Sequence, residues 1–456
     1  MSRNSKRILM ISTHGYVAAQ PELGKPDTGG QVVYVLKLAE VLGRMGFQVD
    51  IATRQFEDQP AMERLNKDVR VLRFPCGGSE FIGKEWLCDH IPERVANAVK
   101  FFNSRKLRYA FINSHYWDAG LAGMELAAEM HIPHIHTPHS IGSWKRENMD
   151  EPIEVLERKY NFERRIRDEK RLYDSCELVL ATTDEQCQLL QRPEYAVPPE
   201  KIATIPPGYD DLQFFPVSEA SRQQLKSDLD ATGPIVLAVG RMAHNKGYDL
   251  LIESFQTVAK RVPEARLMLA IGSTSPSTRE LEQIDELRQL ADRLGLQDRV
   301  LFRDYIPDDQ LADYYRVADV FALSSRYEPF GMTAVEAMAC GTPAVVTTQG
   351  GLFKLLYANP FDPPEYGHAV ATILQYPEVY KRLSSQGAET ARAKFTWNGI
   401  AQQLLMSLRN AAGDVVSKSA VKGKTPRASA KATPAGDGPE GAATPKSPPA
   451  TAGAAT

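Results

Sequence analysis

Short apolar runs closed by polar or glycine-bearing stretches recur along the chain, and between them lie segments whose apolar positions return with helical period. Residues 69–74 alternate roughly at period two and predict a further strand, while residues 8–11, 49–53, 111–114, 132–135, 178–183 and 202–205 are of the first kind. Such runs predict strands buried on both faces, the pattern of a parallel sheet covered by helices. Residues 32–45 are of the second kind, with Val33, Leu36, Leu38, Val41 and Leu42 on helical spacing and Gly46 as the stop. Residues 151–173 predict a helix dense in charge, most of it a solvated face, with Lys145, Arg164 and Arg165 set apart as a basic cluster near a cleft. Pro206-Pro207-Gly208-Tyr209-Asp210 breaks every regular element and marks a hinge.

Beyond the hinge the alternation resumes, with apolar runs at 234–239, 266–271, 300–302, 320–325 and 344–346 separated by amphipathic helices. A second doubly wound sheet is the economical reading. Ile400, Leu404, Leu405 and Leu408 then describe one last helix. Past Asp414 the chain is Ala, Pro, Lys, Thr and Ser without an aromatic residue, which predicts a disordered, weakly basic tail. The expected division is therefore residues 1–208 and 209–395 as two Rossmann-like domains facing a cleft, 396–412 as a helix, and 413–456 as the tail.

Polar chemistry collects where strands end. Residues 8–11 lead through a long loop to Thr28-Gly29-Gly30-Gln31, residues 111–114 into His115-Tyr116-Trp117-Asp118, and residues 132–135 into His136-Thr137-Pro138-His139. In an open parallel sheet that edge is where ligands bind. In the second half, 234–239 exits into Gly240-Arg241 with Lys246 nearby, two cations suited to two phosphates.

The run 320–325 exits into Glu328-Pro329-Phe330-Gly331, where a helix begins whose first amides form an anion site at Gly331, Met332 and Thr333. Glu328 and Glu336 flank it, Glu336 about two helical turns on and facing the open side. On spacing alone the same residues also read as a buried crossover helix after Gly331, a plain turn at Gly29-Gly30 and solvated loop charges at Arg241 and Lys246.

Composition narrows the class. The 456 residues carry 54 basic and 57 acidic side chains, a net charge of −3, so no global field favours nucleic acid or a membrane. Five cysteines without C-x-x-C spacing fit reduced thiols and a cytoplasmic location. The apolar run 8–11 is too short for a membrane span, and nothing longer follows.

The motifs in this order are Asp27-Thr28-Gly29-Gly30-Gln31, Ser114 to Gly120, Thr137-Pro138-His139-Ser140-Ile141-Gly142, Ile205 to Asp210, Gly240-Arg241 with Gly247-Tyr248-Asp249, and the two glutamates. With them the chain from Lys6 to about Leu408 resembles the sucrose-phosphate-synthase-like group of retaining GT-B glycosyltransferases, and within it the members that make mannosylfructose phosphate.

The resemblance implies a hexosyltransferase that moves mannose from GDP-mannose to fructose 6-phosphate with retention. The alternatives are the UDP-glucose reaction of a sucrose-phosphate synthase, or nucleotide-sugar binding without turnover. By the same resemblance Gly30, Gln31, Lys84, Tyr116, Lys145 and Arg164 face the phosphorylated acceptor. Arg241 and Lys246 hold the diphosphate with the Gly331, Met332 and Thr333 corner, Glu328 holds the donor hexose, Glu336 the ribose, and His139 lies beside the donor sugar. The expected partners are thus a nucleotide sugar, a sugar phosphate and a downstream sugar phosphatase. No tightly bound cofactor or metal is implied, with Mg2+ at most a stimulant. One departure stands out: after Phe353 the 351–358 connection is shorter than the resemblance leads one to expect, which puts nucleotide binding, the stability of the second domain and activity in question while the fold is expected to survive.

Overall fold

The computed structural model describes residues 6–21, 27–149, 151–273, 276–326, 328, 330–347 and 356–412. Most of the shortened connection, and the tail expected from 413 onward, lie outside the described residues.

Eight strands form the first sheet: β1 (Arg7–Ile11), β2 (Gln48–Gln55), β3 (Met62–Arg64), β4 (Val69–Pro75), β5 (Ile112–His115), β6 (His134–Thr137), β7 (Leu178–Ala181) and β8 (Ile202–Thr204). Their order is β3-β4-β2-β1-β5-β6-β7-β8, parallel except where β3 runs antiparallel to β4. The second sheet holds β9 (Ile235–Gly240), β10 (Arg266–Ile271), β11 (Val300–Arg303), β12 (Val320–Leu323), β13 (Ala344–Thr347) and β14 (Leu356–Ala358). Its order is β11-β10-β9-β12-β13-β14, wholly parallel. Helices cover both sheets, which is why strands such as β1, β7, β9, β10, β12 and β13 read as continuous apolar runs.

The strand order reverses between β1 and β5 in the first sheet and between β9 and β12 in the second. At such a point the flanking connections leave to opposite faces and open a crevice at the carboxyl ends of the strands. Every motif singled out in the sequence, the hinge apart, lies next to one of these two crevices or one strand away.

Two details differ from the sequence reading. β6 is displaced two residues toward the carboxyl terminus, because His131 ends the preceding helix in a left-handed conformation and the pairing Ile112↔His134 through His115↔Thr137 sets the register. The charged helix expected over 151–173 is two helices, Ile153–Tyr160 and Phe162–Ser175, broken at Asn161 with φ 53°. The second is less solvated than its charge suggests, with Arg165, Asp168 and Glu169 buried.

The last helix, Trp397–Ala412, returns to the first sheet. Ile400, Leu404 and Leu408 sit in one core with Val32, Val35 and Val41 of the helix Gly30–Arg44. Each fully buried aliphatic of this stripe contributes about 2 kcal/mol. The two passages between the sheets run side by side: Tyr209 donates its amide to the Phe395 carbonyl at 2.7 Å and bridges Thr396. Gly208 is required there, since a Cβ would stand 2.6 Å from the Trp397 ring. Among the described residues no helix is long and apolar enough to cross a membrane.

Candidate active site

At the first crevice the helix Gly30–Arg44 starts beside the ends of β1 and β5. Gln31 Nε2 spans them, donating to Ser12 Oγ at 3.2 Å and to the His115 carbonyl at 3.3 Å. A Cβ on Gly29 or Gly30 would meet nothing within 4 Å, so no neighbour in the chain demands glycine there. Tyr116, at φ 76°, turns β5 into the helix Trp117–Met130 and buries its ring edge-on to His14, centroids 4.7 Å apart.

The sequence reading missed His14. Its Nδ1 stands 3.1 Å from both carboxylate oxygens of the fully buried Asp118. The two are 104 positions apart, and only the β1–β5 pairing brings them together.

His139, just after β6, adopts φ 58° and places Nε2 3.0 Å from His115 Nδ1. Burial, aided by His14, pulls its pKa down to about 3, so the ring is neutral.

A cationic cluster lies alongside. Lys84 is paired with Asp27 and stands 3.6 Å from Glu85. Burial alone would lower its pKa, but Tyr116, Glu85 and Asp27 outweigh that and raise it to about 12. Lys145 is 3.9 Å from Glu85 and sits 4.3 Å over the Tyr160 ring. Burial, reinforced by Arg165 and Lys84, lowers its pKa to about 8. Arg165 joins this group: it donates to Tyr116 Oη at 2.9 Å, to Glu169 Oε1 at 2.7 Å and to the Ser140 carbonyl at 2.7 Å. Its neighbour Arg164 is engaged elsewhere, donating to Asp89 Oδ1 at 2.7 Å and remaining partly exposed. The fold thus brings together Lys84, Lys145, Tyr116 and Arg165, and sets Arg164 beside Asp89.

At the second crevice Arg241 is exposed immediately after β9, and Lys246 ends the turn His244–Lys246. Gly247, at φ 66°, passes so close to the Ser324 carbonyl that a side chain would collide with it. That contact holds the β9 loop against the β12 loop. Arg326 reinforces it with a two-pronged pair to Asp249, 2.7 Å to Oδ1 and 2.6 Å to Oδ2. Glu328 Oε2 accepts from Lys246 Nζ at 2.7 Å and from Ser325 Oγ at 3.1 Å.

Gly331, at φ 93°, starts the helix Met332–Ala339, and Met332 packs against the cores of both sheets. Thr333 is half-buried in the first turn, with its amide among those that have no partner within the helix. Glu336 lies in the next turn, closer to the corner than expected, and is half-buried. It accepts from Tyr315 Oη at 2.9 Å. Burial raises its pKa to about 7, the Tyr315 hydrogen bond opposing and Asp308 adding to the rise.

Residues 28–211 match the Glycosyltransferase Family 4 model and residues 219–390 match that for Glycosyl transferases group 1. The chain is 51% identical over 410 residues to the mannosylfructose-phosphate synthase of Agrobacterium fabrum, covering 88% of this chain and 90% of that protein. It is 32% identical over 436 residues to the D-inositol 3-phosphate glycosyltransferase of Corynebacterium glutamicum, covering 92% and 99%. The sucrose-phosphate synthase structure from Thermosynechococcus elongatus superposes with a TM-score of 0.74 at 29% identity, covering 88% of this chain and 98% of that one. The chain therefore belongs to the group 1 glycosyltransferases of GT-B fold, among the relatives of mannosylfructose-phosphate synthase and sucrose-phosphate synthase.

Proposed function

We propose that the protein transfers a mannosyl group from GDP-mannose to fructose 6-phosphate, with retention at the anomeric carbon. One observation carries this: a cationic cluster at one crevice and a cation–carboxylate pair with a helix start at the other, in a chain 51% identical to a mannosylfructose-phosphate synthase. In this reading residues 1–208 take the acceptor and residues 209–395 the donor.

Gly30, Gln31, Lys84, Tyr116 and Lys145 hold the sugar phosphate, with Arg165 behind Tyr116 and Arg164 at the rim. Arg241, Lys246 and the amides of Gly331, Met332 and Thr333 take the charge of the departing diphosphate. Fixed positive charge at that point is the largest electrostatic contribution available to the reaction. Glu328 holds hydroxyls of the hexose, Glu336 those of the ribose, and His139 lies beside the hexose.

The bond from the anomeric carbon to the diphosphate oxygen breaks as an acceptor oxygen bonds on the same face. The acceptor's proton passes to the departing phosphate, so no side chain is needed as base. The product keeps the acceptor's phosphate, which makes a sugar phosphatase the next reaction class. The cytoplasm is the compartment we propose, in keeping with five unpaired thiols.

The test is nucleoside diphosphate release from purified protein given fructose 6-phosphate with GDP-mannose or UDP-glucose. Release with GDP-mannose alone is expected. Release with UDP-glucose alone would reassign the donor, and none with either, in folded protein, would leave a nucleotide-sugar-binding protein.

A further inference from the structure

Two histidines at the ends of neighbouring strands meet through their rings. His115 closes β5, His139 follows β6, and His115 Nδ1 stands 3.0 Å from His139 Nε2. One nitrogen must donate and the other accept, so the two rings cannot both be protonated. His115 is fully buried, and its Nε2 has no hydrogen-bond partner among the described residues. A proton on that nitrogen would be a buried N–H with no acceptor among the described residues. The His115 proton therefore belongs on Nδ1, His139 Nε2 is the acceptor, and His139 carries its own proton on Nδ1.

Packing holds the pair in place. The Tyr34 ring lies 4.9 Å from that of His139 and 5.5 Å from that of His115, and Trp397 backs it at 5.1 Å. The His139 backbone is itself held at φ 58°, in the left-handed region. Burial disfavours a charge on either ring.

We propose that His115 is a positioning residue that fixes His139 as the Nδ1–H tautomer, so that a neutral donor stands beside the reacting hexose. This rests on the donor-side reading of His139 given above. As the diphosphate leaves, the anomeric carbon gains positive charge, and an imidazolium beside it would oppose that development. A neutral N–H holds a sugar hydroxyl without that cost.

The test compares His115→Leu with His115→Asn. Leucine removes the donor at a site where Nε2 has no partner to lose, and asparagine returns an N–H near the Nδ1 position. We expect His115→Leu to lower kcat on the order of tenfold, less than the ~100-fold typical of losing a direct donor, with donor KM within about twofold. His115→Asn should recover most of the loss. In nitrogen NMR of histidine-labelled wild type, the signals that vanish in His139→Gln should report a protonated Nδ1.

A protonated Nε2 on His139 would overturn the proposal, as would wild-type kcat in His115→Leu, or asparagine no better than leucine at equal thermal stability. If the wild type releases no nucleoside diphosphate, the transfer reading fails by itself, and the spectrum still decides the histidine pair.

Discussion

Lys246 Nζ donates to Glu328 Oε2 at 2.7 Å, joining the loop after β9 to the loop after β12 across the point where the strand order of the second sheet reverses. An ammonium and a carboxylate are thereby held at a fixed separation, and in the proposed reading, where they meet the donor's phosphate and sugar hydroxyls, that is the preorganisation a charged transition state requires. Glu328→Gln keeps the shape and removes the charge. It should lower kcat/KM for the donor on the order of 100-fold while acceptor KM stays near the wild-type value. Steady-state kinetics with each substrate varied in turn checks the split.

With the proposed ribose contact, Glu336 should give donor binding an acid limb. With a pKa of about 7 its carboxylate is the major form only above that value, so donor KM should rise as pH falls through 7. The stability of the free protein should move the opposite way. The folded pKa is raised above the ordinary 4.5, so between 4.5 and about 7 the folded state holds the extra proton and loses stability as pH rises. Glu336→Gln should flatten both profiles, read from donor KM and from thermal midpoints over that range.

Acceptor binding should have an alkaline limb set by Lys145. Its charge is present below a pKa of about 8 and lost above it, so fructose 6-phosphate KM should climb as pH passes 8. Lys145→Arg should remove the limb, because a guanidinium stays charged throughout. An unchanged limb in that variant would assign the titration to another group.

Most of the fold was legible because a parallel sheet buried on both faces writes itself as apolar runs, and the runs at 8–11, 178–183 and 266–271 all became strands. β6 was misplaced because His134 and His136 are buried polar residues in a strand, which hydrophobic periodicity does not register. The short β3 escaped notice because Met62 and Arg64 are exposed and it serves only as an edge.

The pairs that shape the site are separated by far more chain than any motif spans: 104 positions for His14 and Asp118, 82 for Lys246 and Glu328. Arg165 was hard to tell from Arg164 because adjacent helical residues point in different directions. Only the packing of the helix Phe162–Ser175 turns the former toward Tyr116 and the latter toward Asp89. The last helix could be drawn from the apolar stripe of Ile400, Leu404, Leu405 and Leu408, but not its return to the first sheet.

Two glycines separate packing from binding. Gly208→Ala places a methyl 2.6 Å from the Trp397 ring, an overpacked contact that costs about 2 kcal/mol and should lower the thermal midpoint. Gly30→Ala adds its methyl where nothing lies within 4 Å, so the midpoint should hold while acceptor KM rises. Calorimetry on both variants, beside acceptor kinetics for the second, checks the contrast.

The most direct measurement is the structure of the product made from GDP-mannose and fructose 6-phosphate, by mass and by the anomeric carbon–proton coupling in NMR. A disaccharide carrying one phosphate, its mannosyl unit in the configuration it had in the donor, is the predicted result. An inverted mannosyl unit, free mannose in place of a disaccharide, or a product lacking the acceptor phosphate would contradict it.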